Sequence, residues 1–199
     1  MKLNLDNGLT VAYGLISDLD IPGFAPTHTQ QADVDSLRLE KRRRERRALY
    51  RLLSAEFHII DTIDHRHDGS PFLSSAPGKC LSVAHSADIV AAIVADRRVG
   101  IDIEQPSGKI ERVAGRFLNS DEARLFADPT GHLTAWTIKE AVYKAAGLEE
   151  LPLTAHTPEA DGIIIVSPNE AIARRGGMSL KFSVESFEIA ASAILSIAL

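Results

Sequence analysis

One cysteine, Cys80, occurs in 199 residues, so no internal disulfide can form, and such sparing thiol use suits a reducing compartment. No apolar run approaches the roughly 18 to 20 residues that a membrane-spanning helix needs. The opening MKLNLDNGLTVAYG lacks the basic segment and apolar run of a secretion signal. These absences predict a cytoplasmic protein with no membrane partner. Neither G-x-x-x-x-G-K-(S/T) nor G-x-G-x-x-G occurs, so nucleotide binding through those loops is not expected. His65-Arg66-His67 has no acidic or sulfur residue at a metal-ligand spacing, and it reads as a polar loop.

What remains is an ordinary globular composition, 45% apolar and 25% charged, over a length that can bury a core unaided. The net charge of −5 is unevenly spread. Residues 38 to 51 hold eight basic residues (Arg38, Lys41, Arg42, Arg43, Arg44, Arg46, Arg47, Arg51) against Glu40 and Glu45. Taking these from the 22 basic and 27 acidic residues of the chain leaves 14 against 25 elsewhere. A basic segment on an acidic protein points to one specific anionic ligand or to a solvated helix face. The acidic remainder and the lack of interleaved aromatics count against a nucleic-acid partner.

LTVAYGLIS has the β-branched character of a strand, and residues 20 to 31 read as a loop with two prolines and a glycine. Asp33 to Phe57 is predicted as one helix, with Asp33 or Asp35 as its cap and Leu37, Ala48, Leu49, Leu52, Leu53 and Phe57 as its apolar stripe. HIIDTI is a short strand before the turn-rich DHRHDGSP. CLSVAHS, DIVAAIVAD and RRVGIDIE are three further strands, and Pro106-Ser107-Gly108 breaks the chain. An amphipathic segment follows, then a short helix capped by Ser120 and a long one from His132 to Ala146 stopped by Gly147. The tail alternates strands (GIIIVS, SLKFSVE, FEIAASAILSIAL) with Pro-Asn and Gly-Gly turns. Each half thus holds one principal helix and several strands, which predicts two similar α/β halves meeting at a cleft.

In VGIDIE, the period of two puts Asp102 and Glu104 on one strand face and Val99, Ile101 and Ile103 on the other. Two carboxylates this close repel unless hydrated, protonated or neutralised by a cation. Hard oxygen donors suit Mg²⁺ or Mn²⁺ better than Zn²⁺. In AWTIKEAVYKAAG, a spacing of four aligns Trp136, Glu140 and Lys144 along one helix face, with Lys139 to the side. Each pattern alone is common, the first as an exposed strand face and the second as an i,i+4 ion pair.

Gly100-Ile101-Asp102-Ile103-Glu104, followed by Trp136-Thr137-Ile138-Lys139-Glu140-Ala141-Val142-Tyr143-Lys144, resembles the G-x-D-x-E and W-x-x-K-E-(A/S)-x-x-K signature of the 4′-phosphopantetheinyl transferase superfamily. Phe117-Leu118 followed by Glu122 looks like its F-(S/T)-x-x-E element, and Ala84-His85-Ser86 like its S-H-S strand. The chain length is similar to that of the long, Sfp-like subtype. The resemblance implies an α+β fold of two pseudo-symmetric α/β halves, each a small, mostly antiparallel sheet packed on a long helix. Residues 1–104 would carry the basic helix, the His strand and the metal strand, and 105–199 the second helix and its sheet, with the active site in the cleft.

It further implies a holo-[acyl-carrier-protein] synthase. A serine of an acyl or peptidyl carrier protein would take 4′-phosphopantetheine from coenzyme A and release adenosine 3′,5′-bisphosphate. Asp102, Glu104 and Glu140 would hold Mg²⁺ (or Mn²⁺), Glu140 would accept the serine proton, and Lys144 would offset phosphate charge. His85 and Ser86 would meet the phosphates, and Arg47, with Arg43 one turn earlier, the 3′-phosphate of coenzyme A. The chain departs from the family pattern at Ser70, where Gly-Lys-Pro is usual, and at Ala84, where serine is usual. The implied state is a monomer with pseudo-dimeric halves. The alternative is a non-catalytic homologue that binds coenzyme A or a carrier protein.

Overall fold

The computed structural model describes residues 1–199. Contacts divide them into two units, Met1–Arg97 and Arg98–Leu199. The first contains β1 (Lys2–Asn4), β2 (Thr10–Leu15), α1 (Ile16–Leu19), α2 (His28–Ser36), α3 (Glu40–Phe57), β3 (Ile63–His65), β4 (Pro71–Leu73), β5 (Cys80–Ser86) and β6 (Ile89–Ala95). Its main sheet is antiparallel in the order β1-β2-β6-β5. The apolar stripe of α3 (Ala48, Leu49, Leu52 and Leu53) packs with Ala12, Val90 and Ala92 of that sheet in one core.

The helix expected over Asp33–Phe57 is two helices, and residues 28 to 31, expected in a loop, begin the first. Leu37 takes an extended conformation (φ −76°, ψ 132°) and ends α2. Neither Asp33 nor Asp35 is an N-cap. Thr27 caps α2 in a capping box with Gln30, while Asp33 accepts a hydrogen bond from the Tyr50 hydroxyl at 2.6 Å. HIIDTI is strand only from Ile63, because Asp61 takes the N–H groups of Thr62 and Ser75 and makes a turn there.

The second unit contains β7 (Gly100–Glu104), α4 (Gly108–Phe117), α5 (Ser120–Leu125), α6 (Pro129–Ala146), β8 (Gly162–Ser167), β9 (Glu170–Arg175), β10 (Met178–Glu188) and β11 (Ile194–Ala198). These strands make one antiparallel sheet in the order β7-β11-β10-β9-β8. The fold is therefore α+β with antiparallel sheets. The division falls at 97/98 and not at 104/105, because β7 pairs along its whole length with β11. The pattern of the tail did not reveal β9, whose EAIARR offers only three apolar residues; β8 and β10 on either side make it a strand. Helix α6 begins at Pro129 with Asp128 capping Gly131 N, and Gly147 ends it in the left-handed conformation at φ 56°. Asn119, not Ser120, caps α5.

The interior of this unit holds an ion pair. Lys139 Nζ lies 2.9 Å from Glu122 Oε2, and both side chains are fully buried. Lys139 also donates to Ile163 O at 3.0 Å, while Glu122 accepts from Ile165 N at 2.8 Å and Asn119 N at 2.9 Å. One pair thus ties α6, the cap of α5 and β8 together. Burial pulls the Lys139 pKa below its ordinary value, and the Glu122 carboxylate pushes it back up. Lys139→Met would leave a buried carboxylate without its counter-ion and should destabilise the protein by about 3 to 5 kcal/mol. Urea unfolding measures this, and a loss under about 1 kcal/mol would show that Glu122 is satisfied by the two backbone N–H groups alone.

Candidate functional site

Asp102 and Glu104 stand on the face of β7 that also carries Gly100, and α6 lies on β7 and β11. A Cβ on Gly100 would fall inside the Ala141 carbonyl oxygen and 2.7 Å from Ala145 N, so the helix backbone rests directly on the strand. This contact brings the Glu140 turn of α6 to the strand that carries the two acids. The helix is held in register by a hydroxyl chain. Thr137 donates to Thr134 O at 3.0 Å, so Ser196 must donate to Thr137 (2.8 Å) and Ser186 to Ser196 (2.8 Å). Ser196 sits opposite Asp102 in the β7–β11 ladder. Nothing in the sequence pattern singled out this chain, since its members lie on α6, β10 and β11.

Lys144, one turn beyond Glu140, donates to Asp102 Oδ1 at 2.8 Å and to Ile101 O at 2.9 Å. Glu140 is half-buried, and its pKa lies above the usual carboxylate value. Burial is the largest cause; the charge of Asp102 comes next, opposed by Lys144, and Glu104 adds to the rise. The structure thus brings Asp102, Glu104, Glu140 and Lys144 within electrostatic reach of one another. The acids are not drawn into a finished cage, and no group of three potential ligands is poised to hold a metal ion. The donor chemistry nevertheless fits a hard divalent cation. The three groups are all carboxylates, and their mutual repulsion is what such an ion would relieve. Trp136 packs edge-on against Phe117 of α4 at 5.1 Å and serves the core.

Arg43, Arg47, His85 and Ser86 belong to the first unit. Arg47 grips Asp20 with two bonds, Nε to Oδ1 at 2.6 Å and Nη2 to Oδ2 at 3.2 Å, and also donates to Glu40 at 2.9 Å. Its charge and hydrogen bonds hold the Asp20 carboxyl below its ordinary pKa. Arg43 donates to Leu37 O at 2.7 Å and reaches Asp35 O at 3.4 Å, capping the end of α2. Arg46 pairs with Asp33 at 3.2 Å. Three arginines of the basic run are therefore engaged within the unit, by partners too distant in sequence to be read from helical spacing. His85 is half-exposed, with Nε2 2.8 Å from Arg42 Nη1.

The model of the 4′-phosphopantetheinyl transferase superfamily matches residues 98–172, which hold the three carboxylates, Lys139 and Lys144. Over this segment the chain is similar to that superfamily. It is 34% identical over 86 residues to a protein named 4′-phosphopantetheinyl transferase psf-1, from Bacillus pumilus. That match covers 40% of this chain and 37% of the relative, so the chain spans little more than a third of the length of the curated protein it matches.

Two outcomes follow from the geometry. Gly100→Ala should cost about 1 to 3 kcal/mol or more in urea unfolding, because backbone atoms must give way. Gly78→Ala, whose Cβ would meet nothing within 4 Å, should cost far less. Equal losses would disprove the close-packing account. The raised Glu140 pKa favours folding fully below the ordinary glutamate value, and that contribution is lost as pH rises through the raised value. Glu140→Gln should therefore gain stability over the parent near pH 7 and little near pH 3. A urea-midpoint difference that does not change with pH would contradict this.

Proposed function

We propose that the chain transfers the 4′-phosphopantetheine group of coenzyme A to a serine of an acyl or peptidyl carrier protein, as a holo-[acyl-carrier-protein] synthase does. The observation that carries the reading is the electrostatic cluster at β7 and α6. Burial raises the Glu140 pKa most, Asp102 and Glu104 add to the rise and Lys144 opposes it, within the segment that matches the superfamily.

In this reading Asp102, Glu104 and Glu140 hold Mg²⁺, or Mn²⁺ in its place. The bound ion would polarise the coenzyme A pyrophosphate and stabilise the departing adenosine 3′,5′-bisphosphate. Glu140 has the properties of a general base, since a pKa above the ordinary value makes it a better proton acceptor for the serine hydroxyl. Lys144 holds Asp102 in place and carries the positive charge that offsets charge building on the phosphates. In the first unit, His85 and Ser86 are the proposed phosphate contacts. Arg43 and Arg47 remain candidates for the 3′-phosphate only if that anion displaces Glu40 and Asp20. Each unit has one principal antiparallel sheet and an 18-residue helix, which accords with the long subtype of the family. The chain has no helix long and apolar enough to cross a membrane.

The protein, incubated with coenzyme A, Mg²⁺ and a series of apo carrier proteins, should add one phosphopantetheine mass to at least one carrier by mass spectrometry. Glu140→Gln should abolish the shift while keeping the fold. If folded protein modifies no carrier and yet binds coenzyme A or a carrier, the non-catalytic reading replaces this one. Full activity of Glu140→Gln would remove that residue from the mechanism.

A further inference from the structure

We propose that Ser196 and Thr137 are positioning residues for the carboxylate cluster, their hydroxyls fixing where α6 sets Glu140 relative to Asp102. The proposal rests on the reading above that Asp102, Glu104 and Glu140 hold a divalent cation.

Helix α6 meets β7 through Gly100, Ala141 and Ala145. A contact between such small residues is close, but dispersion carries no directional bond and opposes sliding or rotation of the helix only weakly. The surrounding interface is apolar too, with Ala135, Ile138, Val142 and Ile194 all buried. Within it runs one polar row across three strands: Asp102 on β7, Ser196 on β11 and Ser186 on β10, each directly opposite the next. Ser196 and Thr137 are fully buried. A buried hydroxyl costs free energy unless it is bonded, and alanine or valine would fill nearly the same space without that cost. What the hydroxyls add is direction.

Each proton of the row has one destination. Thr137 donates to Thr134 O, Ser196 to Thr137 and Ser186 to Ser196, so the chain of bonds runs from β10 through β11 to the helix in a single orientation. Thr137 lies three residues before Glu140, and Lys144 four residues after it, on neighbouring parts of the helix surface. Lys144 is bonded to Asp102 Oδ1 at 2.8 Å and to Ile101 O at 2.9 Å. Glu140 therefore stands between two ties to the sheet, one to the residue opposite Asp102 and one to Asp102 itself. Any movement of α6 that carries Glu140 away from Asp102 strains one of them. The lysine tie is long and ends on a carboxylate of the cluster, whereas the hydroxyl tie is short and touches none of the three. Metal ligands must be held to within a few tenths of an ångström, and partners behind them supply that precision. Ser186 and Ser196 lie outside residues 98–172, the segment that matches the superfamily, so its signature does not assign them.

Electron paramagnetic resonance of Mn²⁺ titrated into the full chain tests the row. Ser196→Ala strands no buried proton, because Thr137 keeps its bond to Thr134 O and the half-buried Ser186 can turn to water. It should keep a urea midpoint near that of the parent and weaken Mn²⁺ binding by roughly tenfold. Thr137→Ser, which retains the hydroxyl, should bind Mn²⁺ like the parent. Ile163→Val trims the core at the opposite edge of the sheet from β7; it should lower the urea midpoint and leave the affinity unchanged. In the transfer reaction Ser196→Ala should lower kcat without changing KM for coenzyme A. Should Ser196→Ala not fold, Thr137→Val/Ser196→Ala, which removes donor and acceptor together, carries the same expectation. A folded hydroxyl-deleted variant that binds Mn²⁺ like the parent, or an equal loss in Ile163→Val, would overturn the proposal. A folded parent that binds no Mn²⁺ overturns it together with the cation reading. Ser196-dependent Mn²⁺ binding in a parent that modifies no carrier upholds the positioning residues and sinks the transfer reading instead.

Discussion

A helix can rest its backbone on a strand only where the strand has no side chain, and in the second unit that place is Gly100. The remaining geometry of the carboxylate cluster depends on this contact. With Ala141 and Ala145 against the strand, the rotation of about 100° per residue turns Glu140 and Lys144 along one edge of the contact. Lys144 is long enough to reach back to Asp102 and to the Ile101 carbonyl. Lys139, a single residue before Glu140, is rotated to another side and ends in the dry interior against Glu122. Adjacent charged residues therefore have unlike tasks, one facing the acids of β7 and the other holding α5 and β8 to the helix.

The same division of labour runs through the basic helix. Eight basic residues in fourteen look like a polyanion site when counted, but charge counted along a sequence says nothing of what already neutralises it. Asp20, Asp33 and Glu40 take up Arg47, Arg46 and Arg43, and the backbone carbonyls at the end of α2 take more of Arg43. The net potential available to a ligand is smaller and more localised than the composition suggests.

The period of two in β7 and the period near 3.6 in α6 were legible because each element obeys its own local rule. The strands β5, β6, β8 and β11 and the breaks at Pro106 and Gly147 could be read for the same reason, whereas the antiparallel α+β class came from the family resemblance. Illegible were features decided by partners far along the chain. Glu122 and Lys139 are ordinary helix residues until the fold buries them together, and β9 is a polar hexapeptide until β8 and β10 flank it. The break at Leu37 was missed because the leucine fits a helical stripe; Arg43, capping α2 from the following helix, stabilises the interruption. The boundary of the units moved for a related reason. The Pro-Ser-Gly break is real, but β7 before it pairs with β11 at the far end of the chain.

The charge balance around Glu140 brings these points together. Two of the charges acting on it are negative and one is positive, so with Glu140 ionised the set carries a net charge of −2. Burial makes that excess costly, and protonating Glu140 is the response available to the protein alone. A doubly charged cation would cancel the excess without a proton. The same elevation that makes Glu140 a better acceptor also disfavours its charged form when no cation is bound. A proton and the proposed cation would compete for one site, so the affinity for that cation would fall as pH falls through the raised value.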